Sequence, residues 1–538
     1  MFGLAVALLW VVHPLHTDAL NHVIYRTELM MGLCYLGALY CVLRGAQAAR
    51  RSTWWFATAS LLCFAGMGCK ENMVSAPLAA LLLDRAVLAS SWSEVLQRRW
   101  RVYAAMAVAT AAGLAFAVLS GVRHDAVGFN QTEFSFYRYG LVQCAALVHY
   151  LRLALWPHPL VFDYYEWPDV HTLREVWWQA LLLAVLAAGI AWAWLRRPAW
   201  ALPWIAGWFI LAPTSLIPNA GERIGEHRMY IPLAAVIITL VGALGWAGQR
   251  WLRGGAIPLD MRRAAAAFAA AAAAVALGWM TIDRNRVYAS ERTLWKDVLA
   301  KMPDSARAWA SVGEADYYEA QSQRDPAAAR QSYERAVESM EHALALDPQN
   351  ADLHLNLGKI YHEHLRGTAE DRQRAMDHYR QALEIRSDHA EAHTNLANLL
   401  MVEGRRSEAK EQFQAALAIR PNLVNALYGL GQALAMEGDL QGAEAQYKQA
   451  LAGPSLYEID VRIMLARLYA RMQRWEDSAG QYRAVLAARP TDAALHFQYG
   501  EVCNRLEKRD EAVRHFREAL RLRPDFTQAQ ERLRELGG

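Results

Sequence analysis

The sequence predicts an all-α fold in two parts: a polytopic transmembrane helical bundle, then an α-solenoid of paired helices. Three observations predict it. Residues 1 to about 282 are a succession of apolar runs. The residues after them are charged and repeat with a 34-residue period. Between the two lies Ala264–Ile282, AAAAFAAAAAAVALGWMTI, nineteen residues without a charge. At ~1.5 Å per residue such a run covers about 28 Å, close to the ~30 Å hydrocarbon core of a bilayer. The expected division is a membrane domain over 1–282, a linker helix over 283–303 and a repeat domain over 304–538.

Composition narrows the function classes. A chain of 538 residues is long for one domain, and a net charge of +3 gives no argument for nucleic acid as a partner. The six cysteines (Cys34, Cys41, Cys63, Cys69, Cys144 and Cys503) are scattered without a CxxC or zinc spacing, and read as buried small apolar residues. The N-terminus has neither a basic leader nor a small-residue cleavage site, so no cleavable signal peptide is expected.

Nine spans are expected: Met1–Val12, Leu29–Leu43, Trp54–Cys69, Met73–Leu83, Val102–Gly121, Val176–Leu195, Ala199–Pro218, Met229–Gly248 and Ala264–Ile282. Met73–Leu83 is short enough to be tilted or only partly inserted. The first run reaches only ~20 Å, which fits a partial insertion or, preferably, a chain that begins inside a helix and has lost upstream sequence. One set of connections carries Arg44, Arg50, Arg51, Arg85, Arg98, Arg99, Arg101, Arg196, Arg197, Arg250, Arg253, Arg262 and Arg263. The opposite set carries Asp18, Glu71, Asp125, Glu133, Asp163, Glu166, Asp169, Glu222 and Glu226. The positive-inside rule makes the first set cytoplasmic. Tyr139–Trp156 is helical in pattern but contains Gln143, His149 and Arg152. Laid in the outer interface as an amphipathic helix, it keeps the charge rule intact, and Ala264–Ile282 then runs outward. The expectation is an integral membrane protein, in a bacterial inner membrane or an ER-like one, with the repeat domain extracytoplasmic.

The outer connections collect the polar residues that carry chemistry. HPLHTDA places His13 and His16 at i and i+3 with Asp18 two residues on. That spacing suits a divalent cation or a general base; equally, Thr17 or Asp18 caps the next helix and the histidines sit in the interface. CKEN sets Lys70 beside Glu71, placed to pair with each other. GERIGEHRMYIP gathers Glu222, Arg223, Glu226, His227 and Arg228. Its arginines, with Arg152, suit a lipid phosphate, or the loop is held by its own salt bridges. PLVFDYYEWPD supplies aromatics for the headgroup level, and Asn130–Gln131–Thr132 is a sequon.

The repeat domain is marked by position. Ala409, Ala443, Ser478 and Ala512 share one phase; Phe413, Tyr447, Tyr482 and Phe516 share another, spaced 34, 35 and 34. Ala397, Gly431, Ala466 and Gly500 hold a third, and Pro421, Pro490 and Pro524 close their units. This is the tetratricopeptide pattern, with small residues where helices approach and an aromatic between them. Looser units precede it, one with Gly358, Tyr361, Tyr379 and Ala382, a longer one with Trp309, Gly313, Tyr333, Ala343 and Pro348. Six units and a final helix around Gln528–Leu536 are expected. Asn356 and Asn395 recur at one phase of the inner helices, placed to grip a peptide backbone unless Asn is simply common there.

HPLHTDALNHVIYRTEL, GCKENMVSAPLAALLLD, YLRLALWPHPLVFDYYEWP and LAPTSLIPNAGERIGEHRMYIP, in that order and followed by such repeats, resemble the transmembrane-and-tetratricopeptide-repeat proteins over essentially the whole chain. The resemblance implies a GT-C-like glycosyltransferase: an O-mannosyltransferase that draws on a polyprenyl-phosphate-linked sugar and glycosylates protein. It also implies an acid in the first outer loop, after the first membrane helix. Nothing before His13 supplies one, so Asp18, with His16, is a supporting group. Lys70, Arg152 or Arg228 would hold the donor phosphate, with His13, Glu71, Glu222, Glu226 and His227 as the surrounding loop network. The alternative is a non-catalytic membrane-anchored scaffold whose repeats bind a protein or peptide. A transporter ranks last, because the charges stand at span ends and no internal duplication is visible.

Overall fold

The computed structural model describes residues 2–21, 26–48, 50–120, 135–164, 167, 170–216, 224–251, 258–363, 367–453 and 456–537. Among them every regular element is helical. Two compact units emerge, Met1–Ala308 and Trp309–Gly538. Glu222, Arg223, Glu166, Asp169, Asp125, Glu133, Arg253 and the sequon Asn130–Gln131–Thr132 lie outside the described residues.

The first unit contains α1 (Phe2–Val11), α2 (Thr17–Asn21), α3 (Arg26–Gln47), α4 (Ser52–Cys69), α5 (Ala76–Leu83), α6 (Trp92–Leu119), α7 (Phe136–Leu155), α8 (Trp177–Arg196), α9 (Pro198–Leu216), α10 (Leu233–Trp251), α11 (Leu259–Val287) and α12 (Glu291–Lys301). Helices α3, α6, α8, α9 and α11 are long and apolar enough to cross a membrane. So is α1 taken with Pro14–Asn21, a pair bent by 51°, while Leu233–Gly248 is a shorter apolar helix. Their outward side chains are apolar and open: Leu119 is 86%, Leu195 82% and Phe268 77% exposed. Eight-residue α5 spans only about 12 Å and does not cross by itself.

Packing explains why these runs stay together. Helix α4 lies so close to α6 that a Cβ on Gly113 would meet the Phe64 carbonyl oxygen and Met67 Cβ at 2.8 Å. Around that contact Met31, Tyr35, Met67, Met73 and Met106 form a buried core. The start of α6 is fixed by Ser91, extended in backbone, whose hydroxyl accepts the Glu94 N–H. Its first turns are then clamped to the end of the preceding turn. Arg99 donates twice to buried Asp84, at 2.7 and 2.6 Å, and Tyr103 donates at 2.5 Å. Helix α7 contacts α8, α9 and α10 and buries Tyr139, Val142, Ala146, Tyr150 and Leu153 at helical spacing.

The segment 283–303 is mostly helical and falls within the first unit. Helix α11 continues unbroken to Val287, and α12 belongs to the first unit. Arg284 and Lys301 both donate to Asp297, and Lys301 reaches the Leu160 carbonyl at 2.6 Å. These charges bind the segment to the unit before it, which composition alone could not show.

The second unit opens within α13 (Ala306–Ser322) and continues through α14 (Pro326–Leu346), α15 (Ala351–Glu363), α16 (Ala369–Ile385), α17 (Ala390–Val402), α18 (Arg406–Ile419), α19 (Val424–Glu437), α20 (Leu440–Ala450), α21 (Glu458–Arg471), α22 (Trp475–Ala488), α23 (Ala493–Arg505), α24 (Arg509–Leu522) and α25 (Thr527–Glu535). Each helix packs on the next in order, the solenoid arrangement. The periodic positions do what their chemistry requires. Tyr379, Phe413, Tyr447, Tyr482 and Phe516 are buried, and the small residues leave room for them. A Cβ on Gly358 would come within 2.4 Å of Tyr379, on Gly431 within 2.5 Å of Tyr447, and on Gly500 within 2.7 Å of Phe516.

Candidate functional site

The polar residues of the first unit meet in one buried centre, organised by the short turn Glu226–Met229. That turn is a 3-10 helix entered from an extended Gly225. At ~3 residues per turn its successive side chains leave about 120° apart, so three neighbours in sequence reach three different parts of the unit. All three are buried.

Glu226 faces the segment after α7. Its Oε1 accepts the Val161 N–H and the Tyr164 hydroxyl, each at 2.7 Å, while Oε2 has no hydrogen-bond partner. Burial pushes its carboxyl up to about 7, against the opposing pull of Arg284 and, more weakly, Lys301. His227 turns to the N-terminal loop. Its Nδ1 lies 3.3 Å from Asp18 Oδ2, and its Nε2 4.0 Å from Glu28 Oε1. Because an ionised carboxylate only accepts, Nδ1 carries the proton in this pair. Arg228 lies under α9, donating from Nη1 to the Thr214 carbonyl at 3.4 Å, and its charge acts on Glu28.

Asp18 and Glu28 complete the centre. Asp18 Oδ1 lies 3.5 Å from the Tyr288 hydroxyl at the end of α11. Glu28, in the first turn of α3, forms an ion pair with Lys70. The expected pairing of Lys70 with Glu71 is therefore corrected. Lys70 is extended (φ −157°, ψ 148°), which sends adjacent side chains to opposite sides, and its ammonium crosses to α3. Glu71 opens the following turn, near enough for its charge to act on Glu28.

The histidines of HPLHTDA do not form a ligand pair. His13 caps the turn Pro14–His16, its Nδ1 accepting the Leu15 N–H at 3.3 Å and its Nε2 lying 3.3 Å from the Ala154 carbonyl. Both nitrogens are thus engaged, in the Nε2–H tautomer. His16 packs edge-on between Trp10 and Tyr230, at 5.1 and 4.9 Å. Among the described residues no group of three or more His, Cys, Asp or Glu is arranged to hold a metal ion. Arg152 is exposed on α7. Glu222 lies outside the described residues.

Sequence reasoning missed Glu28, Tyr164, Arg284, Tyr288, Asp297 and Lys301. Glu28 stands at the edge of an apolar run with no signal of its own, and the last four lie in the stretch expected as a linker. Beside the centre, an apolar cleft is walled by Leu147 and Tyr150 of α7, Leu183 of α8, Trp208 of α9 and Val236 of α10, with Met229 at its edge.

In the second unit Asn356 and Asn395 are half-buried on α15 and α17. Asn356 Nδ2 donates to Glu314 Oε1 of α13 at 3.4 Å. Asn395 lies beside Tyr379.

Comparison with known proteins adds to this geometry in the second unit. Family models for the TPR repeat match residues 328–364, and for the tetratricopeptide repeat 368–433 and 463–533. Comparison with curated proteins gives no match. Solved structures similar to part of the chain include YrrB, "a TPR protein with an unusual peptide-binding site", at 22% identity over 36% of this chain and 97% of its own, TM-score 0.32. PilF of Pseudomonas aeruginosa is 20% identical over 44% of this chain and 99% of its own, TM-score 0.36. PilW, a type IV pilus biogenesis factor, is 23% identical over 41% and 98%, TM-score 0.35. The repeats of the second unit are tetratricopeptide repeats, a protein-interaction fold.

Proposed function

We propose that this chain is an integral membrane glycosyltransferase. It moves a sugar from a polyprenyl-phosphate donor to a protein hydroxyl, and its tetratricopeptide repeats recruit the protein acceptor on the extracytoplasmic side. One observation carries the reading: three motifs distant in sequence send Asp18, Glu28, Lys70, Glu226, His227 and Arg228 to one buried polar centre beside an apolar cleft. Such a centre is costly to bury for stability alone, whereas chemistry on a lipid phosphate requires it. The arginine-rich connections at the other end of the spans support the orientation.

The transfer breaks the bond between the anomeric carbon and the phosphate oxygen and joins that carbon to the acceptor oxygen. The hydroxyl proton goes to a protein base, and polyprenyl phosphate leaves. Asp18 holds His227 in the Nδ1–H tautomer, the state in which the other ring nitrogen serves as base. Glu226, poised near neutrality, is the second group able to take or give a proton in this pH range.

The test is sugar transfer by the full chain in native membranes. A labelled polyprenyl-phosphate sugar is supplied, and hexose on protein Ser or Thr is read by mass spectrometry. Transfer that His227→Ala abolishes supports the reading. Absence of transfer across a panel of lipid-phosphate sugars, with the repeats still capturing one stoichiometric partner, favours the membrane-anchored scaffold.

A further inference from the structure

Arg284 is a buried arginine whose donors are mostly unspent. Its side chain is 6% exposed. Nη1 donates to Asp297 Oδ2 at 2.5 Å, while Nε and Nη2 make no hydrogen bond of normal geometry. The Tyr288 ring lies 5.3 Å from the guanidinium carbon. Buried donors of a charged group left without acceptors cost about 1–3 kcal/mol or more each, and native structures supply a partner, a water or an ion.

Charge accounting says which kind of partner is missing. Asp297 receives Arg284 and Lys301 on the same oxygen, so one negative charge serves two positive ones. Lys301 also donates to the neutral Leu160 carbonyl. Nearby Asp18 is committed to His227 and Tyr288, and Glu28 to Lys70. Among the described residues of this centre Glu226 is the remaining acid, and burial holds it largely protonated below about pH 7. One negative charge is wanted at the open edge of Arg284. A planar fork of N–H groups matches two oxygens of a phosphate, and a phosphodiester brings one negative charge. The second open group, Glu226 Oε2, is buried and without a partner of its own.

We propose that Arg284 holds the phosphate of an isoprenoid phosphodiester through Nε and Nη2, with Asp297 fixing the guanidinium from behind. The identity of the lipid rests on the sugar-transfer reading. Neither Lys70, paired with Glu28, nor exposed Arg152 performs this task. Arg284 is a binding residue at the point where α11 ends and α12 begins, so phosphate contact and the placement of α12 are mechanically joined through Asp297.

The test uses the full chain in detergent micelles, with farnesyl phosphoryl mannose and inorganic phosphate as probes. Arg284→Lys keeps the charge but loses the fork, and is expected to weaken farnesyl phosphoryl mannose binding by about tenfold or more. Arg152→Gln should change it by less than about twofold, and inorganic phosphate should bind far more weakly than the lipid. In the wild-type chain, which needs no variant to fold, the lipid should protect Arg284 from phenylglyoxal. Three results overturn the proposal. Unchanged affinity in Arg284→Lys, with loss in Arg228→Lys, moves the phosphate elsewhere and leaves the sugar-transfer reading standing. Inorganic phosphate binding as tightly as the lipid overturns the lipid assignment. No binding of the lipid by the wild-type chain, with Arg284 unprotected, removes both.

Discussion

Replacing Glu226 by Gln isolates one buried proton. The folded chain holds the Glu226 carboxyl at about 7, against an ordinary 4.5, because the group is buried. At 1.36 kcal/mol per pH unit the gap corresponds to about 3 kcal/mol. The sign follows from proton counting: between these two values the folded state binds the proton more tightly than the unfolded state. The contribution is therefore fully present below about pH 4.5 and is lost as pH rises through about 7. Gln keeps an Oε1 for the Val161 N–H and the Tyr164 hydroxyl and removes the titration. Its amide, placed where Oε2 has no partner, adds a penalty of about 1–3 kcal/mol that does not vary with pH. Thermal unfolding in micelles, followed by tryptophan fluorescence from pH 4.5 to 8.5, reads the difference. The wild-type minus variant stability should fall by about 3 kcal/mol across that range. A constant difference would refute the claim that Glu226 is buried with a raised affinity for its proton.

Three further outcomes follow from other contacts. Lys70→Met strips the partner from buried Glu28 and should destabilise the chain by about 3–5 kcal/mol, with Lys70→Met/Glu28→Gln recovering most of it in the same micelle melt; equal loss in both would mean the pair is incidental. Gly358→Ala puts a Cβ 2.4 Å from the Tyr379 ring and should cost about 1–3 kcal/mol by far-ultraviolet dichroism in urea, whereas Gly453→Ala, which meets nothing within 4 Å, should be nearly silent. In the solenoid, His354 and His378 face each other at 3.1 Å through Nδ1, and burial lowers His378 to about 4. Stability present above about pH 6.5 should fall as pH drops toward 4, by at most about 3 kcal/mol, and His378→Gln should flatten that limb.

The repeats were legible because their signal is local and summed. An aromatic every 34 or 35 residues, with a small residue at fixed offset, reports the same packing contact several times, and Phe413, Tyr447, Tyr482 and Phe516 all lie buried as that spacing requires. The polar centre was legible only as motifs. HPLHTDA and GERIGEHRMYIP announced Asp18 and His227, yet the 209 residues between them carry no sign that the two side chains meet. Glu28 and Lys70 are 42 residues apart, so nothing local in the sequence joins them, and Lys70 meets Glu28 instead of Glu71 because an extended backbone separates adjacent side chains. Arg284, Asp297 and Lys301 look like ordinary surface charge in composition. Their role lies in sharing one carboxylate oxygen, a property of three-dimensional placement.

The claim on which the account rests is that Asp18 and His227 act together at one catalytic centre. A double-mutant cycle on sugar transfer, with kcat measured for Asp18→Asn, His227→Ala and the double variant, addresses it most directly. The account predicts a large loss in each single variant and a double variant no slower than the slower single. Single variants that retain wild-type kcat, or losses that simply multiply, would contradict it.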